Sequence, residues 1–168
     1  MRLWLQNILA CPICKTHPLK LIVFEWDKPD NTSETEALKK MLINDVEKKI
    51  ISPKSMISLT VIASDELLNR RIEKLKHAFT GLNLDYDPNV LMAKIESEME
   101  FFVETIYRLN IKNGLLICVN CKRWFPIGSS IDGVPEMLPD DLRDKIKDKK
   151  FINLWFSKLP EDLKKIIV

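Results

Sequence analysis

The sequence predicts an α+β protein: a small β module assembled from both chain ends, an inserted helical domain and a helical C-terminal tail. Three observations lead there. Two Cys-x-x-Cys pairs, Cys11 with Cys14 and Cys118 with Cys121, are separated by residues 15–117. Short β-type runs adjoin each pair, whereas residues 32–112 carry apolar side chains at helical spacing. Only 4 of 168 residues are glycine, too few for the tight turns of an all-β sandwich.

The elements follow in order. Residues 19–26, LKLIVFEW, are apolar and β-branched enough for a strand. Residues 30–33 read as a loop. Thr32 or Ser33 then caps a helix with Glu34 and Glu36 in its first turn. Its apolar positions are Leu38, Met41, Leu42, Val46 and Ile50, and Ser52-Pro53 ends it. Residues 57–62 read either as a short strand or as a buried connector. Ser64-Asp65-Glu66 opens a second helix carrying Leu67, Leu68, Ile72, Leu75 and Phe79, with Gly81 as its stop. Asp87 as cap and Pro88 at the first helical position open a third. It runs through Leu91, Met92, Ile95, Met99, Phe102, Val103, Ile106 and Leu109, whose apolar side chains form its core, and Asn113-Gly114 ends it. β-structure returns at residues 115–118 and 123–127. A loop over 128–133 and an extended segment over 134–139 follow. Residues 140–143 read as a capped helix start, and 151–168 as one or two short helices. The expected units are 1–31 and 113–139 for the two halves of the β module, 32–112 for the insert and 140–168 for the extension.

The cysteines supply the chemistry. A two-residue spacer lets both thiolates of one knuckle reach one ion at about 2.3 Å. Cys11, Cys14, Cys118 and Cys121 together make four sulfur ligands, the tetrahedral set of one structural Zn2+, with no position left for a catalytic water. The β module is therefore zinc-ribbon-like, although simple ribbons separate their pairs by only about 15–20 residues. A thioredoxin-like redox pair has no use for a second Cys-x-x-Cys, and disulfides are a poor explanation in a reducing cytosol. His17 lies near the first knuckle, but the set is complete without it. His77 reads as solvated.

Other classes are disfavoured. The chain has no Gly-x-Gly-x-x-Gly, P-loop or Gly-x-Ser-x-Gly. Glu96, Glu98, Glu100 and Glu104 read as the exposed side of an amphipathic helix. No catalytic and no cofactor-binding residues are expected. With 46% apolar residues the chain can bury a core. No apolar run approaches the roughly 18 residues that span a bilayer. Residues 1–7 lack a signal-peptide pattern, so a cytoplasmic location is expected.

Both ends of the chain resemble a known family. The likeness is carried by Leu3, Asn7, Ile8, Leu9 and Ala10, then Cys11-Pro12-Ile13-Cys14-Lys15 and Pro18-Leu19-Lys20-Leu21. It resumes with residues 114–118, Cys121, Arg123-Trp124-Phe125-Pro126-Ile127 and Asp132-Gly133-Val134-Pro135-Glu136-Met137-Leu138-Pro139. The chain resembles the multifunctional methyltransferase subunit family, small zinc-binding activators of tRNA, rRNA and release-factor methyltransferases in archaea and eukaryotes. The likeness is detailed over residues 1–27 and 85–143. Val134 stands where isoleucine is usual, and the 128–132 loop is slightly longer than usual. The resemblance implies a non-catalytic subunit that forms a heterodimer with Rossmann-fold, S-adenosylmethionine-dependent methyltransferases, with several alternative partners, and meets RNA only indirectly. It implies docking edge to edge on the partner's sheet through Phe125, Ile131, Val134, Pro135, Met137 and Leu138, with Trp124 as a further aromatic anchor; Trp124 and Phe125 also read as cover for the small core of the β module. Pro135 suits an edge strand because it removes a ladder donor.

A second reading is a zinc-ribbon protein that contacts RNA directly through Lys15, Lys20, Lys122 and Arg123. The formal charge of +2, from 26 basic and 24 acidic residues, speaks against it. Four thiolates and one zinc ion bring that charge to about zero, and phosphate binding calls for a basic excess.

Overall fold

The computed structural model describes residues 1–27, 35–80 and 87–167. Its centre is a four-stranded sheet in the order β2-β1-β3-β4. β1 (Lys20–Asp27) and β3 (Asn110–Ile117) are antiparallel neighbours, and β4 (Trp124–Ile127) pairs antiparallel with β3. β2 (Val61–Ala63) lies parallel to β1, with Leu21 opposite Val61. A parallel neighbour requires a crossover connection. Here α1 (Thr35–Glu47) and α2 (Pro53–Ile57) lie on it.

Strand alternation divides the sheet into two buried faces. Leu21 and Val23 of β1 and Leu116 of β3 share one core with Leu42 and Val46 of α1. That core continues into Leu68, Ile72, Leu75 and Phe79 of α3 (Glu66–Phe79) and Leu91 and Ile95 of α4 (Pro88–Glu96). It also takes in Phe102 and Val103 of α5 (Met99–Val103), and Phe79 meets Phe102 edge to face at 5.8 Å. Ile22, Phe24, Leu115 and Ile117 face the other way, onto Phe151 and Ile152 of α6 (Lys145–Trp155) and Leu163 of α7 (Glu161–Ile167). Phe24 stacks on Trp155 with centroids 5.4 Å apart. The molecule is thus three layers, helices on both faces of one sheet. Among the described residues no helix is long and apolar enough to cross a membrane.

Local signals explain most boundaries. The Asp65 carboxylate accepts from the Leu67 and Leu68 amides to start α3, and Asp87 accepts from Asn89 with Pro88 at the opening of α4. Ser52 ends nothing on its own: it forms a capping box with Ser55 and opens α2. The open reading at 57–62 resolves into the end of α2 and the strand β2. Leu67, Met41 and Ile50 are exposed, off the buried faces of their segments. The expected loop at 30–33, the caps Thr32 and Ser33 and the stop at Gly81 lie outside the described residues.

Three expectations are corrected. The third helix is not continuous: α4 ends at Glu96, α5 starts at Met99, and a π-helical turn over Glu104–Arg108 follows. Its expected end is inside β3. Asn113 is buried and donates to the Glu25 carboxylate at 2.9 Å, and Gly114 stands opposite Val23. Gly114 is needed for close approach, since a Cβ there would meet the Ile22 carbonyl oxygen at 2.4 Å. Gly114→Ala is expected to lower stability by about 1–3 kcal/mol through overpacking; thermal or urea unfolding checks it, and an unchanged midpoint would contradict it. Glu104 is not on an exposed face: it pairs with Arg71 at 2.7 Å, both side chains mostly shielded. Finally, residues 140–142 form a 3-10 turn, and α6 begins later because the Asp144 carboxylate caps the amides of Ile146 and Lys147.

Candidate metal centre

The sheet brings the two cysteine pairs together. Lys20 at the start of β1 is opposite Ile117 at the end of β3, so the segment before β1 and the β3–β4 connection meet at one end of the sheet. Each connection forms the same turn. The Lys15 amide donates to the Cys11 carbonyl at 2.9 Å, and the Lys122 amide to the Cys118 carbonyl at 3.0 Å. The Cys11 amide donates to the Thr16 carbonyl and the Cys118 amide to the Arg123 carbonyl. Lys15 and Lys122 both adopt left-handed backbone, φ 61° and 62°. Both ammonium groups fold back onto their own turns, to the Pro12 carbonyl at 2.8 Å and the Val119 carbonyl at 2.7 Å. The repeated Cys-x-x-Cys-Lys is therefore one local structure built twice.

The four sulfurs converge. Cys11 Sγ lies 3.6 Å from Cys121 Sγ, and Cys14 Sγ 3.4 Å from Cys118 Sγ. All four lie within 4.8 Å of one another. A tetrahedron of metal–sulfur bonds of about 2.3 Å has sulfur–sulfur edges of about 3.8 Å, so the donor set fits a tetrahedral thiophilic ion. Cys11 and Cys118 are buried, while Cys14 and Cys121 are half-buried. His17 is exposed, with Nδ1 3.1 Å from the Leu9 carbonyl oxygen, and is not part of the cluster.

The metal-free thiols are unequal. Burial pushes the Cys11 thiol up to about 11. The Thr16 hydroxyl, 3.1 Å from the Cys14 sulfur, draws that thiol down to about 5. At neutral pH Cys14 is ready as a thiolate, whereas an ion must displace the proton of Cys11. Metal affinity is therefore expected to rise with pH through the neutral range, with at least one proton released per ion, and to fall more steeply below about pH 5 as Cys14 protonates. Titration calorimetry in buffers of different ionisation enthalpy measures the release; a buffer-independent enthalpy would contradict it.

The residues expected at a partner interface divide. Phe125 is corrected: it is 0% exposed, because its β4 position turns it into the core shared with Leu116 and Cys118. Trp124 is half-buried under the Arg143 guanidinium, 4.2 Å from the ring centroid. Ile131, Val134 and Leu138 are exposed, whereas Pro135 and Met137 are half-buried and Met137 packs on the core. The segment runs beside β4: Gly128 donates to the Val134 carbonyl at 3.0 Å, Glu136 to the Pro126 carbonyl at 2.8 Å, and Ile127 faces Pro135. With α6 it encloses a groove of about 530 Å3. Leu142 lines that groove and is exposed, and Ile146, also exposed, stands next to the groove-lining Lys147 on α6, a feature the sequence reading missed. The available signal was two apolar residues four apart in an otherwise charged stretch.

Four sulfurs converging from two distant segments make a closed donor set that can hold a metal ion as a staple between them, with an apolar groove beside it. Residues 3–128 match the Trm112p-like protein family, and the chain belongs to that family. Its members are zinc-binding, generally non-catalytic activator subunits of methyltransferases. The match takes in both cysteine pairs and all four strands, and it ends before the 131–138 segment and α6. The curated proteins hold no match to this chain.

Proposed function

We propose that this chain is a zinc-loaded activating subunit for S-adenosylmethionine-dependent, Rossmann-fold methyltransferases that act on tRNA, rRNA or translation factors in the cytoplasm. The observation that carries the reading is family membership over residues 3–128. One Zn2+ sits on Cys11, Cys14, Cys118 and Cys121. The partner docks on the segment with Ile131, Val134, Pro135, Met137 and Leu138, where the sheet has its outer edge. The strand alternation at Pro135 turns its carbonyl outward, and proline brings no competing N–H to that edge.

The cations named for a direct RNA contact are engaged within the chain, which disfavours the alternative. Lys15 and Lys122 hold their own turns, Arg123 pairs with Asp140 at 2.7 Å, and Lys20 lies 3.8 Å from Asp162. RNA is met through the partner. Co-expression with candidate methyltransferases from the same host tests the proposal. The expected result is a one-to-one complex with methyl transfer that neither chain shows alone; candidates that are fully active and soluble without this chain would overturn it.

A further inference from the structure

Four large apolar side chains line one groove and stand out of the surface, Ile131 at 65% exposure, Val134 at 45%, Leu138 at 40% and Leu142 at 65%, and a fifth, Ile146 at 72%, stands beside the groove-lining Lys147 on α6. Singly, each would be unremarked; grouped on and next to one concave surface, they mark an interaction site. Three belong to the segment beside β4. The other two belong to the helical extension, which lies outside the residues that match the family. We infer that this extension is the second wall of the methyltransferase-docking groove, so that Leu142 and Ile146 contact the partner and help select it. The inference rests on the proposed function.

The extension is held rigidly enough for that role. α6 buries Phe151 and Ile152 against the sheet, leaving Ile146 a turn and more away on the free end of the helix. Arg143 fixes that end: its Nη1 donates to the Trp124 carbonyl at 2.7 Å, its Nε to Asp148 at 2.8 Å, and its ring contact is with Trp124. Lys147 ties α6 across the groove to Ser130 and to Glu136. Both walls are therefore in place before a partner arrives, which lowers the ordering cost of binding. Apolar walls and an outer strand edge suit an extended segment of a methyltransferase with apolar side chains.

The test uses the zinc-loaded full chain and a methyltransferase that co-purifies with it and is identified by mass spectrometry. Affinity is measured by calorimetry for Leu142→Glu/Ile146→Glu, for Ile131→Glu/Leu138→Glu and for the parent. Both altered side-chain pairs are exposed, so circular dichroism and zinc content should match the parent. The expected result is at least a tenfold loss of affinity for both double variants. Loss for the 131/138 pair alone would overturn the extension's role while leaving the docking segment standing. No loss for either would overturn the docking segment as well. A self-dimer of the parent that the 142/146 pair abolishes, with partner affinity unchanged, would assign this wall to a second copy and overturn the inference.

Discussion

Cys118→Ser is expected to empty the metal centre and unfold the chain in one transition. Structural zinc contributes about 10–16 kcal/mol of folding free energy in small zinc peptides at neutral pH. A whole domain is stable by only about 5–15 kcal/mol, so the loss is of the size of the entire net stability. Geometry makes the loss global. Cys118 is buried in the same apolar cluster as Leu19, Leu116 and Phe125, and that cluster continues into Phe79 and Phe102 of the helical layer. Opening the knuckle exposes one end of a core that α1, α3, α4 and α5 also cover. Reading the insert as a separate helical domain would instead leave its helicity standing when the knuckle opens, so the melt distinguishes the two. Metal analysis and a circular-dichroism melt, with and without chelator, provide the readouts. A variant that keeps one ion per chain, or that melts within a few degrees of the parent, would refute the staple. Two separated transitions would refute the shared core.

The metal centre was legible because its signal is chemical and local. Two Cys-x-x-Cys-Lys turns need no knowledge of the intervening residues, and the pairing of β1 with β3 then brings them together. Helix starts at Asp65 and Asp87 were legible for the same reason, since a carboxylate satisfies amides two or three residues away. Long-range effects were not. Helical spacing alone runs from Leu91 to Leu109, and only the sheet fixes where it must stop: β3 begins at Asn110 because the strand is buried on both faces and Gly114 must approach Ile22. Phe125 misled for a related reason. An aromatic beside a metal knuckle fits an anchor or a core residue equally, and strand register decides between them by turning alternate side chains inward. The sequence also could not show that β2 joins the sheet as a parallel edge, because three residues carry too little periodicity.

Register likewise chooses which substitution tests the docking surface cleanly. A charge at Phe125 or Met137 would enter the core and unfold the chain, so a lost partner would report folding. Leu138 and Ile131 are exposed in the free chain, and a glutamate at either is solvated there. In the complex the same carboxylate is buried against apolar surface with no partner placed for it. Leu138→Glu with Ile131→Glu is therefore expected to weaken methyltransferase binding by about 2–4 kcal/mol, the range of a central interface hot spot, at unchanged stability of the free chain. The contrast between free and bound states carries the argument, since a surface substitution usually moves stability by no more than about 0.5 kcal/mol. Conservative Leu138→Met keeps the apolar area and should bind nearly as the parent does. Binding that is weakened equally by Leu138→Met and Leu138→Glu would show that shape rather than burial sets the affinity. Binding indifferent to both, in a folded and zinc-loaded chain, would place the partner away from the outer edge of the sheet.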